Sequence, residues 1–83
     1  MNFNITIRRT DDPKQTSTFT VSGTLYDALL KLRATVATVV HTYGRHGHVV
    51  IKEEDDEMLS TLVLGWEREN GFTPFLTIKL EDV

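Results

Sequence analysis

The sequence lacks several features that particular protein classes need. It contains no cysteine, which excludes disulfide bridges, thiolate zinc sites and a thiol nucleophile. Its five glycines are dispersed, so no glycine-rich loop that would cradle a phosphate opens a helix. No apolar run approaches the length of a bilayer span. The first residues alternate polar and apolar instead of forming a secretory signal, so a cytoplasmic protein is expected.

Positive charge is also scarce. The formal net charge is −3, and the lysines and arginines form no cluster of the kind that grips nucleic-acid backbones. The expected partner is therefore a protein, and a basic protein surface is its natural electrostatic complement. With 83 residues, 40% of them hydrophobic, the chain is expected to form one soluble domain spanning residues 1–83.

The clearest predicted element is a helix that starts at Thr24. The Thr24 side chain can cap it, Asp27 lies in its first turn, and Gly44 is expected to end it with a positive φ. Apolar residues at spacings of three and four predict a stripe that packs on a sheet. This stripe consists of Leu25, Leu29, Leu32, Val36, Val39 and Tyr43.

The opposite face of this helix is unusual for a solvated surface, because residues 34–43 contain no Lys, Arg, Asp or Glu. Ala34, Thr35, Thr38 and Thr42 form a flat, weakly polar surface there. One interpretation is that these residues are tolerated at an exposed position or face a second layer of the same domain. The other is a contact surface, for a homodimer or for another protein.

The rest of the chain predicts mainly strands. Strands are expected over Asn2 to Thr10, Thr16 to Ser22, His48 to Lys52 and Phe75 to Leu80. The first two should pair as a hairpin through the turn at Asp11 to Lys14, and the third should be short and buried.

Residues 55–70 have two interpretations. The favoured one is a second helix capped by Asp55, with Asn70 and Gly71 as its C-terminal stop. Its inward stripe would consist of Met58, Leu59, Leu62, Val63 and Trp66. The other is a strand over residues 61–67 that turns at Asn70 and Gly71 into the last strand, which is favoured by Gly65 because glycine is costly inside a helix.

Two clusters of ionisable residues are candidates for function. The acidic run Glu53, Glu54, Asp55, Asp56 and Glu57 is either a solvated turn or a surface that steers a basic partner. The histidines His41, His46 and His48 lie within eight residues and suggest, as an alternative function, a metal-responsive or ligand-binding regulatory domain.

The histidines have no carboxylate or thiolate at familiar ligand spacing, so the leading expectation includes no metal and no cofactor. A regulatory domain of nucleic-acid metabolism would instead need Arg8, Arg9 and Arg45 to converge on one surface. No nucleophile with a paired base is evident, so an enzyme is not expected.

The order hairpin, long helix, strand, short element and final strand resembles the ubiquitin-like β-grasp fold. The resemblance covers nearly the whole chain and implies that the last strand pairs parallel to the first, with the helix across one face of the sheet. The chain ends Leu80-Glu81-Asp82-Val83 and not in the Gly-Gly tail of ubiquitin-like modifiers, so conjugation is not implied. In size, acidity and its run of acidic residues the chain is also similar to small phage-encoded inhibitors, anti-CRISPR proteins among them, which occlude a partner's surface.

Together these features predict an α+β domain with two layers and a non-catalytic protein-binding function, as an adaptor or as an inhibitor, such as a phage inhibitor of a host nucleic-acid-binding complex. The predicted contact joins the uncharged helix face of Ala34, Thr35, Thr38 and Thr42 with steering by the acidic run.

Overall fold

The computed structural model describes residues 1–54 and 60–83, which form one helix and five strands in those ranges. The elements are β1 (Asn2–Arg9), β2 (Thr16–Ser22), α1 (Leu25–Tyr43), β3 (Val49–Glu54), β4 (Ser60–Arg68) and β5 (Gly71–Asp82). The prediction of an α+β protein with a long helix beside a sheet is confirmed. Asp55, Asp56, Glu57, Met58 and Leu59 lie outside the described residues.

The five strands form one sheet in the order β2-β1-β5-β4-β3, and every neighbouring pair is antiparallel. The β-grasp resemblance implies a parallel pairing of the first and last strands. Here β1 and β5 run antiparallel, with Ile5 opposite Leu80 and Ile7 opposite Ile78. The chain reverses direction between β4 and β5 because these two strands form a hairpin, so β5 enters the sheet from the opposite end.

The core lies between α1 and one face of the sheet. Alternation along the strands sends every second side chain to this face. The fully buried apolar residues are Phe3 and Ile5 of β1, Leu64 of β4, Leu76, Ile78 and Leu80 of β5, and Ala28 and Leu32 of α1. The other face is polar across β1 and β2, where Thr6 and Thr18 approach to 3.2 Å between their hydroxyl oxygens. One face of the sheet is therefore buried under α1, and the other face is exposed to solvent.

The start of α1 is as predicted. The amide of Asp27 donates to the hydroxyl of Thr24 at 3.2 Å, and the amide of Thr24 donates to the carboxylate of Asp27 at 2.9 Å. These two bonds form a capping box, which satisfies backbone donors at the helix N-terminus. The predicted end is only partly right, because Gly44 has φ −61° and its amide continues the helical pattern by donating to Val40. A positive φ at Gly44 is therefore wrong.

The predicted stripe of α1 is partly right, because Leu32 is buried and Val36 and Val39 pack against the core. Ala28 and Leu32 are buried, while Leu25 is 44% exposed and Leu29 is 40% exposed. The small side chain of Ala28 allows the helix to lie close to the sheet at that position, whereas Leu25 and Leu29 lie at the margin.

The favoured prediction of a second helix is wrong for residues 60–68, which form β4. This strand lies between β5 and β3 and pairs with both, so all its backbone groups can enter the sheet ladder. The alternative turn was misplaced by one residue, since Arg68 pairs with Gly71 and the turn residues are Glu69 and Asn70. Gly71 opens β5 with a φ of 109°, which a glycine adopts without strain.

The predicted third strand differs in position and in environment. β3 begins at Val49 and includes Glu53 and Glu54, and it is the edge strand beside β4. The prediction that it is buried is wrong, because Ile51 is 43% exposed. An edge strand at the side of the sheet away from α1 has neighbours on one side only.

Candidate functional site

Helix α1 packs on β2, β1 and β5, which is the half of the sheet that lies away from β3. Strands are about 4.8 Å apart and a helix is about 10 Å wide, so one helix covers roughly half of a five-stranded sheet. Among the described residues, none covers the face of β4 and β3 beside the helix. It forms an apolar groove between α1 and β3, called here the α1–β3 groove.

The α1–β3 groove has a volume of about 1040 Å³. Apolar side chains from both layers line it. They are Leu29, Leu30, Leu32, Val36, Ala37 and Val40 of α1, and Ile51 and Leu62 of the sheet. Tyr26 at the start of the helix is 68% exposed and extends this surface.

Besides Tyr26, three ionisable side chains complete the wall of the groove. Arg33 and His41 lie on α1, and Glu53 lies on β3. Among the described residues, none of the three forms an ion pair or a side-chain hydrogen bond. The groove therefore offers a positive and a negative group at its margins with an apolar surface between them.

The helix side of the groove has a simple origin in the sequence. Tyr26, Leu30, Arg33 and Ala37 recur at spacings of four, three and four, which places them along one flank of α1. This is a second stripe, next to the one that packs on the sheet. The sequence analysis missed this second stripe because it assigned only one apolar stripe to the helix. The small number of charged residues on the outer face of the helix was a signal for it.

The structure places the predicted threonine face on the other flank of α1. Thr35 and Thr38 lie beside Phe19 of β2, away from the α1–β3 groove. Thr35, Thr38 and Thr42 each donate their hydroxyl to the carbonyl four residues earlier, at 2.8, 3.0 and 2.9 Å. Ala34, Thr38 and Thr42 are exposed. These hydroxyls are satisfied within the helix, so the face presents mainly methyl groups.

The predicted acidic site is divided by the strand. Glu53 and Glu54 lie in β3, where neighbouring side chains point to opposite faces. Glu53 lines the α1–β3 groove, whereas Glu54 lies on the other face beside Arg8 and Lys79. The remaining three residues of the acidic site, Asp55, Asp56 and Glu57, fall outside the described residues. Within the described chain, Glu53 is thus the acidic residue that belongs to the groove.

Comparison with known proteins gives no relative from which a function could be transferred. No protein-family model, curated protein or solved structure matches the chain. Within the described ranges, no helix has both the length and the apolar character that crossing a membrane requires. The functional interpretation therefore rests on the geometry of the site.

The structure does not bring the three histidines together with other ligands. His41 lies on α1 at the groove, and His48 lies 3.8 Å from the carboxylate of Glu67, measured from its Nε2. His46 lies in the turn between α1 and β3, where its backbone amide donates to the carbonyl of Tyr43. Among the described residues, no group of three His, Asp or Glu side chains is placed to hold a metal ion.

The arginines also do not form one surface. Arg8 and Arg9 are consecutive in β1 and so point to opposite faces of the sheet. Arg9 donates two hydrogen bonds to the carboxylate of Asp11, at 3.1 and 2.7 Å, which holds the pKa of Asp11 below its ordinary value. This pair fixes the start of the β1–β2 turn. The geometry therefore gives no support to a nucleic-acid surface that uses both residues.

Proposed function

We propose that the protein is a non-catalytic protein-binding module and that the α1–β3 groove is its binding surface. The observation that carries this proposal is the open apolar face between α1 and β3. Leu30 and Ile51 are 46% and 43% exposed on its two sides. A continuous apolar surface of this kind on a small protein is typical of an interaction site, because its exposure to water is unfavourable.

The shape of the groove favours an amphipathic helix as its occupant. The uncovered half of the sheet is about one helix wide, and α1 already forms one wall. A helix in this position would pack beside α1 and complete the second layer. Recognition of an amphipathic helix in an apolar groove is a common mode of peptide binding.

Charge at the margin of the groove favours one kind of helix. Glu53 offers a carboxylate with no ion-pair partner among the described residues, so a lysine or arginine of the bound segment can pair with it. The net charge of −3 also attracts a basic partner over longer distances. We propose that the ligand carries apolar residues on one side and basic residues at the edge.

Binding without catalysis agrees with the chemistry of the groove. Tyr26, Arg33, His41 and Glu53 are its ionisable residues in the described chain, and no hydrogen bond joins their side chains. A nucleophile or general base needs such a partner to be activated and oriented. The proposal extends to two roles, an adaptor or an inhibitor that occludes its partner, and the acidity favours a nucleic-acid-binding complex as the inhibited partner.

A peptide selection tests this proposal. A random library of displayed peptides is selected on the wild-type protein, and the winners are measured on Leu30→Glu. Glutamate is a good helix former and Leu30 is exposed, so the fold is retained while the groove gains a charge. We expect the selected peptides to be amphipathic and to contain basic residues. Their affinity for Leu30→Glu should be lower than their affinity for the wild type by about tenfold or more.

The matched control is Thr18→Glu, at an exposed position of β2 on the face away from α1. It adds the same charge and should leave peptide affinity unchanged. Peptides that bind Leu30→Glu as tightly as the wild type would refute the groove as the binding surface.

A further inference from the structure

The outer edge of β2 lies at the opposite side of the sheet from β3 and the α1–β3 groove, and no strand of the described chain pairs with it. We infer that an extended segment of another protein binds this edge as an additional antiparallel strand, with an apolar side chain beside Ser17 and an acidic side chain, two positions away, beside Lys31. This surface is separate from the groove, so the inference does not rest on the function proposed for the groove.

The backbone of β2 presents hydrogen-bonding groups at this edge. At one end of the β1–β2 ladder the amide of Arg9 donates to the carbonyl of Gln15. At the other end the amide of Gly23 donates to the carbonyl of Met1. Residues of an antiparallel strand bond alternately to its two sides, so the odd-numbered residues of β2 bond to β1. The even-numbered residues therefore direct both the amide and the carbonyl outward, and they are Thr16, Thr18, Thr20 and Ser22.

The side chains of these four residues do not cover the outward backbone groups, because their hydroxyls have partners in β1 or in the preceding turn. The pairs are Thr18 with Thr6 at 3.2 Å, Thr20 with Asn4 at 2.9 Å, Ser22 with Asn2 at 2.8 Å, and Thr16 with the carbonyl of Pro13 at 2.6 Å. Another extended strand offers carbonyls and amides at the spacing of this row, which a helix or a small molecule does not. The backbone geometry thus selects a strand as the ligand.

Protection against strand pairing differs between the two edges of the sheet. At the other edge, β3 carries Lys52, Glu53 and Glu54, and charged side chains on an edge strand oppose pairing with another chain. In contrast, β2 contains no charged residue and no proline, and its seven residues pair with β1 in one continuous register. The edge of β2 is therefore a regular and unprotected template for another strand.

The margin between β2 and α1 determines which apolar side chain the added strand needs. Ser17 is small and exposed, although it lies on the face of the sheet on which α1 packs. A shallow cavity of about 310 Å³ lies there between the helix and the hairpin. Its lining consists of Ile7, Phe19, Thr35, Thr38 and Val39, together with Lys31. Since both threonine hydroxyls bond to helix carbonyls, an apolar side chain placed opposite Ser17 can enter this cavity without leaving them unsatisfied.

Lys31 adds a requirement for negative charge. Its ammonium lies 5.8 Å from the centre of the Phe19 ring, and it forms no ion pair within the described part of the chain. Ser17 and Phe19 lie on the same face of β2, two residues apart. A carboxylate opposite Phe19 can therefore reach the ammonium. The recognised pattern is an apolar residue and an acidic residue two positions apart in an otherwise uncharged strand.

Amide hydrogen exchange followed by NMR tests the pairing. The probe is the capped peptide Thr-Val-Thr-Glu-Thr-Val-Thr, which places a valine opposite Ser17 and its glutamate opposite Phe19. A short peptide loses chain entropy when it becomes a strand, so it is used at concentrations on the order of 1 mM. At saturation, we expect exchange at the outward amides of Thr18 and Thr20 to slow by about tenfold or more. The amide of Phe19, which bonds to β1, should not change.

A pair of substitutions at position 18 isolates the backbone bond. Thr18→Pro removes the outward amide, and proline is tolerated on an edge strand where its nitrogen faces solvent. Thr18→Val is the matched control, because it also loses the hydroxyl but keeps the amide. Peptide affinity should fall by about tenfold or more in Thr18→Pro and should stay at the wild-type value in Thr18→Val.

Charge exchange tests the side-chain pairing without altering β2. Lys31→Glu should weaken binding of the probe and should favour a second peptide in which lysine replaces the glutamate. Glutamate is a good helix former and Lys31 is exposed, so this variant retains the fold. Arg45→Glu, at an exposed position after α1, makes the same change in net charge and should bind both peptides as the wild type does.

Three results would overturn the inference. The first is unchanged exchange at Thr18 and Thr20 throughout the titration. The second is a folded Thr18→Pro that binds the probe as tightly as Thr18→Val, or a Lys31→Glu that does not change the preference between the two peptides. The third is protection of the outward amides that rises with the concentration of the protein alone, because a second copy would then occupy the edge in place of another protein.

Discussion

Gly65 of β4 lies directly under the ring of Phe72 of β5. A Cβ atom at position 65 would lie 2.5 Å from Cε2 of this ring and 2.5 Å from the carbonyl oxygen of Thr73. The register of the two strands shifts between Leu64 and Gly65, which marks an irregularity in their pairing. The ammonium of Lys52 lies 4.4 Å from the centre of the same ring. The absence of a side chain at position 65 thus allows the ring of Phe72 in β5 to lie over β4 and to contact Lys52 of β3.

This contact predicts that Gly65→Ala destabilises the protein. The added methyl group must displace either the ring or the β5 backbone, and overpacking of this kind costs about 1–3 kcal/mol. Urea unfolding followed by fluorescence measures the loss. Adding Phe72→Leu should recover part of it, since the smaller side chain can move aside. An unchanged free energy of unfolding in Gly65→Ala would contradict the close approach.

Gly65 also shows why the sequence left β4 ambiguous. Leu62, Val63 and Trp66 satisfy helical spacing, and a short apolar run cannot distinguish a helix from a central strand. The deciding fact is the pairing of β4 with β3 and β5, which depends on residues far away in the sequence. Gly65 was the local signal for a strand. The reason for a glycine at this position, its close packing against the ring of Phe72, depends on a residue of the next strand.

The capping box gives a second prediction. Thr24→Ala removes the hydroxyl that accepts from the amide of Asp27, and loss of a cap of this kind costs about 1 kcal/mol of stability. Thr42→Ala is the matched control, because its hydroxyl bonds to a carbonyl inside the helix and alanine is the better helix former. Thermal unfolding should show a lower midpoint for Thr24→Ala only. Equal losses in both variants would contradict a specific cap.

The same box predicts a dependence of stability on pH. The amide and then the hydroxyl of Thr24 donate to the carboxylate of Asp27, which lowers its pKa from the ordinary value of 3.8. A folded-state pKa below the unfolded one means that the carboxylate stabilises the fold fully above 3.8 and that this stabilisation is lost as the pH falls through the folded value. Asp27→Asn should therefore lose less stability than the wild type on acidification.

Urea unfolding between about pH 6 and pH 2 measures this difference. Glu69→Gln, at the β4–β5 turn and outside the capping box, is the control and should follow the wild-type curve. If Asp27→Asn and the wild type lost stability in parallel, Asp27 would not contribute to the acid sensitivity.

Helix α1 shows which parts of the candidate site could be predicted from the sequence. Local chemistry sufficed for its start at Thr24 and for its length, since caps and spacing are properties of neighbouring residues. The burial of Ala28 in place of Leu25 and Leu29 could not be predicted, because it depends on how the helix meets the sheet. The α1–β3 groove was missed for the same reason. It exists because α1 lies over β2, β1 and β5, which no local pattern specifies.

An aromatic cluster at the end of α1 gives another prediction. The ring of Phe75 lies 4.6 Å from the rings of Tyr43 and Trp66, measured between centroids, and joins the helix end to β4 and β5. Phe75→Leu should lower the free energy of unfolding by about 1 kcal/mol through loss of these ring contacts. It should also shift the emission of Trp66, the only tryptophan of the chain. Phe72→Leu is the control, and an identical emission shift in both variants would contradict the cluster.

The orientation of α1 can be tested with two leucines of the same helix. Leu32 is 5% exposed and Leu30 is 46% exposed. Truncating a buried leucine leaves a cavity, so Leu32→Ala should cost about 2–5 kcal/mol in the free energy of unfolding. Leu30→Ala removes a side chain that remains in contact with water, and it should change the stability of the monomer by about 0.5 kcal/mol or less.

Both variants carry the same substitution, so helix propensity cancels and burial alone separates them. The comparison is made by urea unfolding. A large loss in Leu32→Ala together with a small loss in Leu30→Ala would distinguish the core from the binding surface. Equal losses would mean that α1 is rotated and that Leu30 packs inside the domain.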